Sequence, residues 1–140
     1  MIASPSRTVS SLEYPPMHAV LVVDVDCEIA EMLEAGCEPA RYEIHRADGL
    51  ESARSMLATV LFSVVIVNTL FVRSEAEQWR LVRYVRSQST HTRVLFLRPL
   101  RAHASGFRDG FAGDALLPRA TDPATMMRVI DQLSTPKRGA

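Results

Sequence analysis

Cysteine is scarce in this 140-residue chain. Cys27 and Cys37 are the only two and lack CxxC spacing, which excludes a disulfide framework and points to a reduced, cytoplasmic setting. A net charge of either sign is also missing. The 16 basic and 16 acidic residues cancel, so no global attraction to nucleic acid or anionic lipid is expected. No apolar run approaches the roughly 20 residues of a membrane span, and the start of the chain has no basic region followed by an apolar one. The four histidines, His18, His45, His91 and His103, show neither ligand spacing nor a grouping with Ser, Cys or Asp. They read as surface or turn residues rather than as a metal centre or a catalytic triad.

What remains is enough for one core. With 47% hydrophobic residues, the chain reads as a single domain over residues 18–134. A flexible leader over residues 1–17, rich in Ser and Pro, and a flexible tail over 135–140 are expected to flank it. The charge is unevenly distributed. Residues 1–60 hold ten acids against four bases and residues 61–140 six acids against twelve bases, formal charges of −6 and +6. Such a dipole favours a charged partner, or association of opposite faces, over a nucleic-acid footprint. Arg80, Arg83 and Arg86 recur at helical spacing, the pattern of a solvated face.

Strand and helix signals alternate along the chain. The run Ala19-Val20-Leu21-Val22-Val23 is of the buried parallel-strand type, and Asp26 is placed to cap a helix over residues 27–35 that stops at Gly36. Ile29, Met32 and Leu33 share its inner face, and Glu28, Glu31, Glu34 and Glu38 its outer one. Strands follow over 42–47, 62–67, 93–97 and 115–117. Helices are expected over 50–59, over 75–87 with Trp79, Val82 and Val85 inward, over 102–111, and over 122–133. Asp122 and Pro123 supply the cap and first turn of the last helix. The alternation implies a doubly wound, five-stranded parallel sheet with helices on both faces. Ligand sites of such folds lie at the carboxyl ends of the strands, where Asp24, Asp26, Asn68, Arg98 and Arg119 all fall.

In order and spacing these stretches resemble the receiver domain of bacterial response regulators. Val22-Val23-Asp24-Val25-Asp26 is similar to the family's acidic cluster, and Val65-Ile66-Val67-Asn68 to its phosphoacceptor strand. Val94-Leu95-Phe96-Leu97-Arg98 is similar to the strand ending in a Ser or Thr switch, and Leu116-Leu117-Pro118-Arg119 to the stretch ending in a lysine. The resemblance implies the CheY-like strand order 2-1-3-4-5. It also implies lost chemistry: Asn68 stands where the family has its phosphoacceptor aspartate, and Val25 where it has a magnesium ligand. An amide is a poor nucleophile, and Mg²⁺ demands oxygen ligands. No enzymatic activity, metal or cofactor is expected. Arg98 is expected to replace the missing cation by reaching Asp24 or Asp26, and the loop Leu70-Phe71-Val72 forms an apolar lip beside the degenerate pocket Asp24, Val25, Asp26, Asn68, Arg98 and Arg119, where it either closes the pocket or contacts a partner.

The expectation is a pseudo-receiver that acts without phosphorylation as a protein-interaction module in bacterial signal transduction. Nothing in the sequence after the domain reads as a fused output. By resemblance, the interaction face comprises Arg101, His103, Phe107, Arg108, Met127, Arg128 and Asp131. Its partner is a kinase, regulator or effector, or a second copy in a homodimer. A small-molecule sensor using Arg98 and Arg119, and an atypical response regulator with residual phosphorelay function through Asp24 or Asp26, stay open. A flavodoxin-like enzyme is disfavoured because the acidic loop after the first strand would repel a phosphate.

Overall fold

The apolar runs become strands because nearly every residue in them is covered on both sides. In the computed structural model, which describes residues 17–98 and 113–135, β1 (His18–Val23), β2 (Tyr42–Ala47), β3 (Val64–Asn68), β4 (Arg93–Arg98) and β5 (Ala115–Pro118) form one sheet. All pairings are parallel and the order is β2-β1-β3-β4-β5. This is the predicted fold class and strand order. The helices are α1 (Glu28–Gly36), α2 (Leu50–Leu57), α3 (Glu75–Gln88) and α4 (Pro123–Ser134). The helix expected over 102–111 lies outside the described residues, as do the leader up to residue 16 and the tail from 136.

Two apolar layers flank the sheet. On one face, α2 and α3 bury Ala53, Leu57, Leu81, Val82 and Val85 against Leu21, Val23, Val65, Val67, Val94 and Phe96. On the other, α1 and α4 bury Ile29, Leu33, Met126 and Ile130 against Val20, Val22, Ile66, Leu95 and Leu97. Successive strand residues thus feed opposite layers, as the strand period of two requires.

Several local expectations need correction. Trp79 does not face inward but is 38% exposed, because the inner arc of α3 is Gln78, Leu81, Val82 and Val85. Gln78 is tolerated there because its side-chain amide Nε2 donates to the Val72 carbonyl at 3.2 Å. The N-cap position of α1 falls one residue later than expected, at Cys27, whose side chain makes no capping bond; Asp26 accepts the Glu28 N–H at 2.9 Å. His18 and His45 are not turn residues. They sit half-buried in β1 and β2, where His18 Nδ1 lies 2.8 Å from Ser63 Oγ and His45 packs edge-on to Phe62. Asp122 accepts from the Thr125 N–H at 3.0 Å, as an N-cap should, with Pro123 following it.

Candidate functional site

The parallel ladder sets the strand ends side by side. Val23 is in register with Ala47 and Val67, Asn68 with Leu97, and Arg98 with Pro118, so the residues that follow share one edge of the sheet. The Arg119 N–H donates to the Arg98 carbonyl at 2.8 Å, which carries the ladder one step past β5 and fixes where the Arg119 side chain starts.

Asp24 is the centre of this edge. Although only 3% exposed, its carboxylate is fully engaged. Oδ1 accepts from the Val25 N–H at 2.7 Å and from Asn68 Nδ2 at 2.9 Å, and Oδ2 from Arg119 Nε at 3.1 Å. A buried charge persists only when paired and hydrogen-bonded in this way. Asn68, 1% exposed, uses both ends of its amide, since Oδ1 accepts the Leu70 N–H at 2.9 Å. An amide donates to one neighbour and accepts from the other here; an ionised carboxylate could only accept. The Leu70 bond also starts the short 3₁₀ turn Thr69–Phe71.

Arg119 spreads its guanidinium over three acids. Besides Asp24, Nη2 donates to Asp26 Oδ1 at 2.9 Å and Nη1 to Glu28 Oε1 at 3.2 Å. Partial burial opposes its charge, but Asp24, Asp26 and Glu28 outweigh that cost and raise its pKa. The cation on Asp24 is therefore Arg119, not Arg98; among the described residues Arg98 makes no ion pair. Arg98 is the last residue of β4 and Arg119 follows β5 by one, and only the latter's side chain crosses the edge to the acids. Glu28 was read as part of an outer acidic face. Its position in the first turn of α1, directly after the β1 end, is the signal that places it at this edge.

Next to this cluster lies an open depression of about 530 Å³, lined by Val25, Asp26, Asn68, Leu70, Arg119 and the α1 residues Glu28, Ile29 and Met32, among others. The apolar lip is split. Val72 is core, Phe71 packs against the core, and Leu70, 43% exposed, lines the depression. Val25 is 59% exposed and turns its isopropyl group to the surface. A magnesium ion of the kind receiver domains use does not fit these residues. One position offers an apolar side chain, another an amide nitrogen toward Asp24, and the space between the carboxylates holds a guanidinium.

The expected interaction face is placed in part. Arg101, His103, Phe107 and Arg108 lie outside the described residues. Met127 is half-buried against the α1 and α4 layer, and Arg128 is exposed. Asp131 turns elsewhere: it accepts from the Tyr42 hydroxyl and lies 3.9 Å from Arg41, so it belongs to the contact between α4 and β2. Among the described residues no helix is long and apolar enough to cross a membrane.

No protein-family model and no curated protein sequence matches the chain. Solved structures do match it over most of its length. The chemotaxis response regulator CheY4 of Vibrio cholerae is 22% identical, with a TM-score of 0.66 over 84% of this chain and 98% of that one. A putative response regulator from Chloroflexus aurantiacus is 26% identical, with a TM-score of 0.65 over 85% and 98%. The pilus assembly protein CpaE from Caulobacter crescentus is 16% identical, with a TM-score of 0.61 over 86% and 96%. With the parallel order β2-β1-β3-β4-β5 and helices on both faces, these likenesses make the fold that of a CheY-like response-regulator receiver domain.

Proposed function

We propose that the chain is a receiver-like module of bacterial signal transduction that acts by recognising another protein and does not depend on phosphorylation at the end of β3. The observation that carries this reading is the Asp24, Asn68 and Arg119 network. In it the residue at the end of β3 is an amide hydrogen-bonded through both its ends, and an internal guanidinium bridges the acidic cluster. A receiver needs a carboxylate nucleophile at the end of β3 and a metal beside it to accept a phosphoryl group; here an amide stands at that end and a guanidinium lies between the carboxylates. The fold itself does not decide the matter, since it is shared by proteins named response regulators and by one named a pilus assembly protein.

A second reading is an atypical response regulator with residual phosphorelay function. It is favoured by the match to response regulators along almost their entire length. Asp26, exposed at the rim of the depression, is then the accessible acceptor. A third, a sensor of small anions, is disfavoured because each donor nitrogen of Arg119 already faces a carboxylate.

Incubation with acetyl phosphate and Mg²⁺, followed by intact-mass measurement, separates the first two. The expected result is no gain of a phosphoryl group, together with recovery of the same cytoplasmic partner with and without the phosphodonor. A phosphoryl group mapped to Asp24 or Asp26 establishes the second reading instead.

A further inference from the structure

Folding turns the charge asymmetry of the sequence into a direction in space. The order β2-β1-β3-β4-β5 puts β1, β2, α1 and α2, from the acidic first 60 residues, on one half of the sheet, and α3, β4 and β5, from the basic remainder, on the other. In addition, α1 packs on one face of the sheet and α3 on the opposite one. The acidic surface of α1 and the basic surface of α3 are thus diagonal to each other and point apart.

Both surfaces carry uncommitted charge. Glu31 on α1, Glu38 in the turn after it, and Arg80 and Arg83 on α3 are exposed, and among the described residues none of the four makes an ion pair. Their neighbours differ: Glu34 pairs with Arg46, and Arg86 with Asp114. Trp79, 38% exposed, borders the arginines, and Trp beside Arg is the composition that interface centres favour.

We propose that this face of α3, with Trp79, Arg80 and Arg83, is a docking surface for the acidic α1 side, Glu31 and Glu38, of a second copy of the chain. A second copy is the fitting occupant because each molecule carries both complementary surfaces and a formal net charge of zero, so association builds up no repulsion. The contact is head-to-tail. Because the two surfaces point apart, it does not close into a two-fold dimer, and repeated use extends an open chain. Exposed ion pairs are individually weak and screened, so association rises with protein concentration and falls with salt.

Sedimentation velocity over a concentration series tests this with the full chain at about 0.01 M and about 1 M salt, where the Debye length falls from about 30 to about 3 Å. Two variants accompany it, Arg80→Glu with Arg83→Glu, and Glu31→Arg with Glu38→Arg. All four positions are exposed, so circular dichroism is expected to show both variants folded. The wild type is expected to exceed the monomer mass at low salt and to return to it at high salt. Each variant alone, with both surfaces now of one sign, is expected to stay monomeric, and an equimolar mixture of the two to associate again. A wild type that is monomeric at low salt, variants that associate as it does, or a mixture that stays monomeric would each overturn the proposal.

Discussion

At the scale of single residues, the site is governed by which atoms can donate. Asn68→Asp is the substitution that would make the end of β3 resemble a phosphoacceptor, yet it replaces the Nδ2 donor facing Asp24 by an acceptor oxygen in a buried place. The expected outcome is a loss of about 1–3 kcal/mol in urea unfolding at neutral pH. The loss should shrink as pH falls, because one carboxyl of the new pair takes up a proton in the folded state before it would in the unfolded chain. A pH-independent loss would mean that the pair is not the cause. Arg119→Lys keeps the charge, but its three donors sit on one nitrogen and cannot span three carboxylates as Nε, Nη1 and Nη2 do, so it is expected to be intermediate in stability between the wild type and Arg119→Met. Asp24, Asp26, Asn68 and Arg119 were legible as neighbours because parallel strands of known order end on one edge. The choice of Arg119 over Arg98 was not, because both arginines stand at adjacent strand ends and only side-chain direction separates them.

At the scale of elements, a few contacts fix how each helix or strand meets its neighbours. Ser74 accepts the Glu77 N–H at 3.1 Å and Glu77 Oε1 accepts the Ser74 N–H at 3.2 Å, a capping box that starts α3 after the loop from β3. Ser74→Ala is expected to cost about 1 kcal/mol in chemical denaturation. Gly113 leads into β5 with no room for a side chain: an added Cβ would lie 2.6 Å from Phe96 Cδ2 and 3.1 Å from the Val94 carbonyl oxygen. Gly113→Ala is therefore expected to lower stability by about 1–3 kcal/mol, since the fully buried Phe96 ring cannot withdraw freely. The contact of α4 with β2 predicts a pH effect. Burial, and the bond to Asp131, push the Tyr42 hydroxyl up to about 12 from the ordinary 10. The folded state holds that proton more tightly, so the stabilisation is complete below pH 10 and is lost as pH rises through about 12. Melting curves across that window should show a decline that Tyr42→Phe removes. Strand and helix existence could be read from apolar runs and caps, whereas the inner arc of α3 could not. Periodicity favoured Trp79, but a buried carbonyl of Val72 in need of a donor selected Gln78.

At the scale of the whole molecule, the fold followed from the alternation of apolar runs with capped helices, and its charge dipole from the division of the sequence into an acidic and a basic half. What the sequence could not show is which cation offsets part of the acidic charge at the carboxyl edge of the sheet. A receiver responds to its signal because ligand or phosphoryl group binds one of two states better than the other, and a ligand without such preference shifts nothing. Here Asp24, Asp26 and Glu28 already share the Arg119 guanidinium. A divalent cation has to displace that group and then finds Val25 and the Asn68 amide among its neighbours, so it gains little by binding the folded chain. Stabilisation by a ligand grows with the ratio of its concentration to its Kd, so weak binding leaves the melting temperature where it was. Addition of Mg²⁺ is accordingly expected to change the Tm of the wild type no more than NaCl of equal ionic strength does. The NaCl comparison matters because salt also screens the exposed charges of α1 and α3. A rise in Tm specific to Mg²⁺ would mean that Arg119 yields the carboxylates, and the phosphorelay reading would gain the metal it requires.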